Sequence, residues 1–326
     1  MKRTWILGLV VGVVLAAAMG LRVYSYMSRP LVDLRPQYPA ADAATLPAVP
    51  RDYVVHPIVD PAERDQGPRR IVSLAPSITE VVCALGLRDR LVGRTPYCHY
   101  PPDVETVPAV GAVTDPNYEK IRSMSPDLVL ITANSGAVAA GLERLGVKYQ
   151  LVQHDRLQDV FAAIEGVGQA CARPVTARHL VEAIRSDLER LKRQAAKRVR
   201  TPQRVLVVLG ELPVPPRGVW AAGPGSFLDE LVRLAGHVNA GRDALNVTHG
   251  EIPLARLRVV DPDVILEFRS TVSDEQRREM YSSWAEVGKL RVIEGQRVRC
   301  VGSPEWLSAG PRIAIALQRF ISVLAE

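Results

Sequence analysis

The sequence lacks the short motifs on which many catalytic sites depend. It has only four cysteines, Cys83, Cys98, Cys171 and Cys300, and none forms the Cys-x-x-Cys pair typical of zinc or thiol redox sites. It has no Gly-x-Ser-x-Gly elbow, no phosphate-binding loop of the Walker type and no His-Glu-x-x-His helix. The sequence therefore predicts a protein that is not an enzyme and that has neither a resident metal nor a catalytic cofactor.

The net charge is also modest, and aromatic residues are scarce. The formal net charge is +6, and phenylalanine, tryptophan and tyrosine make up 5% of the residues. Much of the positive excess lies between Arg185 and Arg204, where no aromatic residue is interleaved. Because nucleic-acid-binding stripes usually combine basic and aromatic side chains, this pattern favours a solvated helix face, and we expect no nucleic-acid partner.

Long apolar runs are missing except near residue 1. Lys2 and Arg3 precede an apolar stretch from Trp5 to Leu21, which predicts for residues 1–27 either a cleaved export signal or a membrane anchor. Both alternatives place the rest of the chain in the periplasm or another extracytoplasmic space, and the second would anchor it in the inner membrane. Residues 28–68 are rich in proline and alanine and are predicted to form an extended linker.

The longest helical pattern stands near the middle of the sequence. Between Pro174 and Val199, apolar residues recur at helical spacing among charged ones. One amphipathic helix is predicted, about 39 Å long at about 1.5 Å per residue, which is enough to extend along two domains. We therefore expect a connecting helix at residues 173–200 between an N-terminal lobe at 69–172 and a C-terminal lobe at 201–326.

The two halves beside this helix share a pattern. In each, a short helix stops before Pro-Asp and a buried strand follows, at Glu119–Thr132 and again at Ala255–Phe268. In each, another helix opens with a Ser-x-x-acid cap and ends on glycine, at Ser77–Gly86 and at Ser226–Gly236. The repeat predicts an α/β protein of two Rossmann-like lobes with mainly parallel sheets and a ligand cleft between the lobes.

Candidate ligand contacts lie in predicted loops that follow strands, where open α/β sheets bind ligands. In the first lobe a proline-interrupted loop carries Tyr97, His99 and Tyr100; the rings suit a flat macrocycle, and His99 also suits a metal. In the second lobe the candidates are Trp220, Arg269 and Trp306. The pattern favours a surface position for His249 over ligand contact, and it assigns no role to the remaining histidines at 154, 179 and 237.

Several motifs, taken in order, resemble the helical-backbone (class III) substrate-binding proteins of ABC importers. They are Arg70-Ile-Val-Ser-Leu-Ala-Pro-Ser-Ile-Thr-Glu80, Tyr100-Pro-Pro102, Pro126-Asp-Leu-Val129, Pro262-Asp-Val-Ile265 and Gly310-Pro-Arg-Ile313. The resemblance covers about residues 69–326 and is greatest to the cobalamin-binding branch of a family that also binds haem and ferric siderophores.

This resemblance implies a non-catalytic, monomeric receptor. Such a receptor captures cobalamin (vitamin B12) or a related metal chelate between its lobes and delivers it to an ABC permease and its ATPase. Haem or siderophore binding on the same fold remains an alternative, as does a membrane-tethered sensor or scaffold without transport.

The resemblance also implies how the receptor docks. In this family an acidic residue of each lobe pairs with arginines of the permease, and Glu119 occupies the first-lobe position. Ala255 stands at the second-lobe position, which departs from the family pattern, so Glu251 is the predicted substitute. A rigid connecting helix is expected to allow only small movements of the lobes.

Overall fold

The computed structural model of the protein describes residues 59–213, 216–269, 274–288, 290–295, 297–302 and 308–325. The predicted signal or anchor, the predicted linker up to residue 58 and the candidate Trp306 lie outside these ranges. Among the described residues, none of the helices combines the length and the apolar character that crossing a membrane requires.

The first lobe alternates strands and helices, which confirms the predicted α/β pattern. Its elements are β1 (Ile71–Ser73), α1 (Pro76–Ala84), β2 (Leu91–Arg94), β3 (Gly111–Ala112), β4 (Asp115–Pro116), α2 (Tyr118–Ser123), β5 (Leu128–Thr132), α3 (Gly136–Arg144), β6 (Tyr149–Val152) and α4 (Leu157–Ala170). Four strands form a parallel sheet in the order β2-β1-β5-β6, and β3 pairs with β4 apart from it. The central strands β1 and β5 are buried, because helices cover both faces of such a sheet.

The connecting helix is α5 (Pro174–Arg198), which lies within the range 173–200 expected from the sequence. Pro174 lies in its first turn, where a missing N–H group costs nothing, and Lys197 and Arg198 lie in its last turn, where cations complement the helix dipole. The predicted apolar row is the buried one, at Leu180, Ile184, Leu188, Leu191 and Ala195.

The second lobe repeats the architecture with a mixed sheet. Its elements are β7 (Arg204–Leu209), β8 (Gly218–Ala222), α6 (Phe227–Leu234), β9 (Val238–Asn239), β10 (His249–Pro253), α7 (Leu254–Val260), β11 (Val264–Arg269), α8 (Asp274–Val287), α9 (Arg291–Glu294), β12 (Val298–Gly302) and α10 (Ile313–Leu324). The main order is β10-β8-β7-β11-β12, with β9 beside β7. Strands β7, β11 and β12 run parallel, whereas β8 and β10 are antiparallel to their neighbours.

The ribbon of β8 and β10 departs from what local composition indicates. The stretch Gly210–Gly225 is rich in glycine and proline, which is typical of a loop, yet β8 lies within it. Strand β8 overlaps β7 by one residue pair, Val208 and Ala221. Since the two strands are antiparallel, the beginning of β8 extends past the carboxyl end of β7, which is the edge where ligands bind in α/β sheets.

The two lobes share one apolar core. A continuous cluster of buried side chains extends from α1 and α4 in the first lobe, along α5, to α6 and α10 in the second. Phe320 of α10 packs against Phe268 of β11, with 6.1 Å between the ring centroids. Because the interior of a protein is close-packed, a core that runs through both lobes opposes large changes in the angle between them.

Only one of the two predicted Ser-x-x-acid caps forms. Ser226 Oγ accepts a hydrogen bond from the Asp229 amide at 3.1 Å and caps α6. Helix α1 instead begins after Ala75 and has Pro76 in its first turn, without a side-chain cap. The expected cap at Ser77 and Glu80 is therefore wrong, and Glu80 has a different partner that is described below.

The last residues of the predicted linker pack on the first lobe. The Glu63 carboxylate accepts hydrogen bonds from the Val175 amide at 2.7 Å and the Thr176 amide at 3.1 Å, so it caps the beginning of α5. The buried Arg173 donates to the carbonyl groups of Glu63 and Arg64. Residues before the expected boundary at residue 69 therefore also pack on the first lobe.

Candidate ligand-binding site

The loop that follows β2 holds three predicted ligand contacts, and the first lobe holds it at both ends. The buried Arg94 donates to the carbonyl groups of Val104 and Glu105, each at 2.9 Å. Cys98 is buried, with its Sγ 3.1 Å from the hydroxyl groups of both Thr79 and Thr95. These contacts fix the backbone on both sides of His99 and Tyr100, as a preorganised binding loop requires.

His99 has a defined ring orientation within this loop. Its Nδ1 lies 2.7 Å from Glu105 Oε1, and its side chain is 38% exposed. Arg88 holds the next part of the loop through Asp103 Oδ2 at 3.0 Å and the Thr106 hydroxyl at 2.7 Å. A carboxylate on Nδ1 fixes the imidazole and leaves Nε2 as the nitrogen that faces away from Glu105.

Tyr100 reaches the second lobe. The guanidinium carbon of Arg312, just before α10, lies 3.8 Å from the centroid of the Tyr100 ring, which is a cation–π contact. Arg312 also donates two hydrogen bonds to the buried Glu80 of α1, at 2.7 and 2.9 Å. Ser308 Oγ donates to the same carboxylate at 3.0 Å. The predicted ligand loop, the first helix and the last helix thus meet where the lobes join.

A second junction joins the lobes at the N-terminal ends of α4 and α6. The Phe227 amide donates to the Asp155 carbonyl at 2.9 Å, and the Leu157 amide donates to Glu230 Oε2 at 2.7 Å. Together with the contacts of Arg312, these bonds hold the lobes at two places.

Two histidines approach each other at this second junction. Burial lowers the pKa of His249, Asp155 opposes that shift, and His154 adds to it, so all three side chains lie within electrostatic reach. His154 Nδ1 is buried and makes no hydrogen bond within the described part of the chain. The sequence did not predict this pair as a site, because nothing in the spacing of residues 154 and 249 shows that the fold brings them together.

Trp220 and Glu251 lie opposite each other on the ribbon of β8 and β10. Directly opposed residues of an antiparallel pair point to the same face, so the predicted ligand contact and the predicted docking residue share one face. Trp220 is half-buried and Glu251 is exposed. Glu119, the other predicted docking residue, is exposed in the first turn of α2 behind the Asn117 cap.

The position of Arg269 does not fit the prediction that it contacts a ligand. Its side chain is 4% exposed, and its Nε lies 2.5 Å from Oε1 of the fully buried Glu267. Trp284 Nε1 donates to the other oxygen of that carboxylate at 2.5 Å. Burial raises the pKa of Glu267, whereas Arg269 and Trp284 oppose the shift. Arg269 therefore neutralises a charge inside the second lobe.

A bare metal ion has no prepared site in the described ranges. No group of three or more histidine, cysteine, aspartate or glutamate side chains is arranged there to hold one. Burial raises the pKa of the Cys83 thiol and that of the Cys171 thiol to about 12 each, so these two cysteines are poor thiolate ligands.

Comparisons with known proteins agree on one kind of protein. The family described as periplasmic binding protein matches residues 71–281. The uncharacterised ABC transporter substrate-binding lipoprotein YvrC of Bacillus subtilis is 29% identical over 253 residues, which are 76% of each chain. The vitamin B12-binding protein of Vibrio cholerae is 27% identical over 258 residues, which are 78% of this chain and 88% of that protein. The periplasmic haem-binding protein RhuT of Roseiflexus sp. RS-1 has a TM-score of 0.66 at 25% identity, covering 80% of this chain and 100% of that one.

Proposed function

Because the chain belongs to the periplasmic binding protein family, we propose that it captures cobalamin or a related metal chelate between its lobes and delivers it to an ABC permease. Members of this family bind solutes and are not enzymes, and they work outside the cytoplasm. The observation that carries the proposal is the contact between Tyr100 and Arg312, because an aromatic loop of the first lobe there touches the second lobe.

The residues around this junction suit a large, flat and partly polar ligand. Tyr97 and Tyr100 offer aromatic rings in the first lobe, and Trp220 offers a third in the second. Arg312, which is paired with Glu80, holds the ring of Tyr100 against the second lobe. Binding then combines burial of the ring system with a few oriented polar contacts, as is usual in ligand pockets.

His154 and His249 extend this proposed site on its second-lobe side. Both are half-buried, and they lie on different lobes near the contact between Asp155 and Phe227. The sequence expectation of a surface position for His249 gives way to a proposed role in the cleft. A ligand held between the lobes would also complete the bonding of His154 Nδ1.

Haem is the second candidate ligand. The vitamin B12-binding relative and the haem-binding structure match this chain at 27% and 25% identity over similar lengths. Both ligands are flat metal macrocycles with polar edges. The aromatic loop and the imidazole of His99 are compatible with either.

For delivery, we propose that Glu119 and Glu251 pair with basic residues of the permease, which works with an ATPase. Both carboxylates are exposed and available to a partner. The N-terminal segment, residues 1–27, is proposed to have directed the chain to its compartment or to anchor it in the membrane.

Ligand titration tests the proposal. Full-length protein in detergent would be titrated with cobalamin, haemin and a ferric siderophore while tryptophan fluorescence is recorded, with the absorbance of any co-purified chromophore as a second measurement. We expect quenching at micromolar cobalamin, because Trp220 lies on the ribbon beside the cleft. No response to any of the three ligands would overturn the proposal.

A further inference from the structure

We propose that the C-terminal end of α5 and the neighbouring turn of the second lobe bind the anionic phospholipid surface of a membrane. This inference goes beyond the capture and delivery of a ligand. It rests on the proposed function only in that the chain works outside the cytoplasm, beside the membrane that holds the permease.

Positive charge without acidic neighbours in the sequence is concentrated at this end of α5. From Arg190 to Gly210 the sequence has seven lysine and arginine residues and no aspartate or glutamate. Asp187, just upstream, pairs with Arg190 at 2.7 Å. Glu189 pairs with Lys192 at 3.6 Å. Because these two acids are already matched, the excess of positive charge begins beyond Lys192.

Three of the cations form no ion pair within the described part of the chain. They are Arg193, Lys197 and Arg200, and all three are exposed. Arg193 and Lys197 stand four positions apart, so they project from the same face of α5, away from its buried apolar row. The dipole at the C-terminal end of a helix corresponds to about half a negative charge. It therefore cannot neutralise this group of cations.

The second lobe extends the same surface. Val199, the residue after α5, packs against Gly236, where an added Cβ would lie 3.2 Å from a methyl group of Val199. Arg233 is exposed in the last turn of α6, just before that glycine. A positively charged region thus continues from the end of one helix to the end of another. We call Arg193, Lys197, Arg200 and Arg233 the basic surface.

An exposed apolar side chain stands beside the basic surface. Val238 is 44% exposed at the beginning of β9, and its amide donates to the Gln203 carbonyl at 2.9 Å, just downstream of Arg200. Protein surfaces that lie on lipid bilayers combine lysine and arginine with apolar side chains that enter the interface. The long stems of lysine and arginine also let their charged groups reach headgroups at different depths.

A lipid surface fits these features better than a nucleic acid does. Residues 185–204 contain no aromatic side chain on which bases could stack. Headgroup phosphates attract clustered cations without requiring a shaped pocket. The family works outside the cytoplasm, where the membrane is the anionic surface at hand.

The predicted linker is long enough for this contact. The Asp60 amide donates to the Thr176 hydroxyl at 3.1 Å, so the chain joins the lobes at the beginning of α5. The basic surface lies at the other end of that helix, about 37 Å away at about 1.5 Å per residue. Residues 28–58 would span about 30 Å as a coil and about 95 Å when extended. In a chain anchored by residues 1–27, tethering would keep the effective concentration of lipid high, so a weak attraction suffices.

Energy transfer to labelled lipids tests this inference. Full-length protein with a genetically encoded fluorescent amino acid in place of the exposed Ala196 would be reconstituted with vesicles that carry an acceptor on their headgroups. One set of vesicles is phosphatidylcholine alone, and the other also contains phosphatidylglycerol. We expect stronger energy transfer with phosphatidylglycerol. The gain should disappear at about 1 M salt, where the screening length is about 3 Å.

Charge reversal identifies the residues that bind. Each lysine or arginine beside an anionic surface favours the bound state about fivefold. The triple variant Arg193→Glu, Lys197→Glu, Arg200→Glu should therefore lower the ratio of surface-bound to free protein by about 100-fold or more. Its affinity for the chelate, measured by tryptophan quenching, should stay unchanged.

A matched control separates this surface from net charge. The variant Arg122→Glu, Arg144→Glu, Arg278→Glu reverses three exposed cations on α2, α3 and α8 and changes the net charge by the same amount. It should retain most of the gain in energy transfer.

The outcomes distinguish membrane binding from the proposed function. Equal energy transfer with the two kinds of vesicle, or equal losses in the two triple variants, would overturn membrane binding by the basic surface while the receptor function stands. Absence of binding to every chelate would overturn the proposed receptor function, whereas the lipid-dependent energy transfer would still be observed.

Discussion

Arg312 and Glu80 form a nearly buried ion pair between residues that are 232 positions apart, with hydrogen bonds of 2.7 and 2.9 Å. Glu80 is 4% exposed and Arg312 is 12% exposed. The same guanidinium covers the ring of Tyr100. One side chain therefore joins the lobes and positions a proposed ligand contact, so stability and binding are linked at this point.

Breaking this pair should destabilise the protein strongly. Glu80→Ala leaves the Arg312 charge without its main partner in a desolvated position, and we expect the free energy of unfolding to fall by about 3 to 5 kcal/mol. Chemical denaturation measures the loss. Asp187→Ala is the matched control, because it removes the exposed pair with Arg190 on α5, at 2.7 Å, and should cost no more than about 1 kcal/mol. Equal losses in the two variants would contradict the role given to the buried pair.

Glu63 should make the stability of the protein depend on acid pH. Burial opposes its ionisation, but hydrogen bonds from Thr176 and Val175 outweigh this and hold the pKa of the carboxyl below its ordinary 4.5. A carboxyl with a depressed folded-state pKa contributes stability above its unfolded pKa and loses that contribution as the pH falls through the folded value.

We therefore expect Glu63→Gln to be less stable than the unaltered protein at pH 7, with the difference shrinking as the pH drops below 4.5. Denaturation midpoints measured from pH 7 to pH 3 provide the test. Glu165→Gln, at an exposed glutamate on α4, controls for the loss of a surface charge. A difference that stays constant or grows on acidification would contradict the capping role.

Gly67 should tolerate no side chain. Its φ of +83° is a conformation that L-residues rarely adopt, and an added Cβ would lie 2.3 Å from the Cys171 carbonyl oxygen. Gly146 has a similar φ of +66° but open space around the same position. We expect Gly146→Ala to cost about 1 to 2 kcal/mol from the backbone conformation alone, and Gly67→Ala to cost clearly more. Similar melting temperatures for the two variants would show that the segment before residue 69 does not pack as described.

Local patterns predicted much of this fold, whereas contacts between distant residues remained hidden. The apolar row of α5 and the buried strands after Pro-Asp follow from spacing and composition, so the sequence predicted both. Strand β8 was missed because its Gly- and Pro-rich surroundings are typical of loops, and the pairing with β10 that stabilises it is nonlocal. The ion pair of Glu80 with Arg312 and the electrostatic influence of His154 on His249 could not be predicted from spacing, because the whole fold creates them.

Substitution of Trp220 should weaken ligand binding, whereas substitution of Trp284 should lower the stability of the fold. Trp220 is half-buried on the face of β8 beside the proposed cleft, so Trp220→Leu should weaken chelate binding about tenfold, or about 1.4 kcal/mol. Trp284 is fully buried and donates to Glu267, so Trp284→Leu should lower the free energy of unfolding instead. Calorimetric titration and denaturation separate the two effects. Unchanged affinity in Trp220→Leu would remove this residue from the proposed site.

Docking to the permease should depend on two carboxylates that take no part in ligand binding. Glu119 and Glu251 are exposed on different lobes, and replacing both by alanine removes one proposed anchor from each. Since one surface ion pair contributes about 0 to 1 kcal/mol, the double variant should reduce uptake in cells several-fold, with little effect from either single change. Its ligand affinity should stay unchanged. A double variant of Glu165 and Glu182, exposed glutamates on α4 and α5, controls for the loss of two negative charges. Uptake that is unchanged in the double variant Glu119→Ala, Glu251→Ala would show that the permease contacts another surface, since both proposed anchors are then absent.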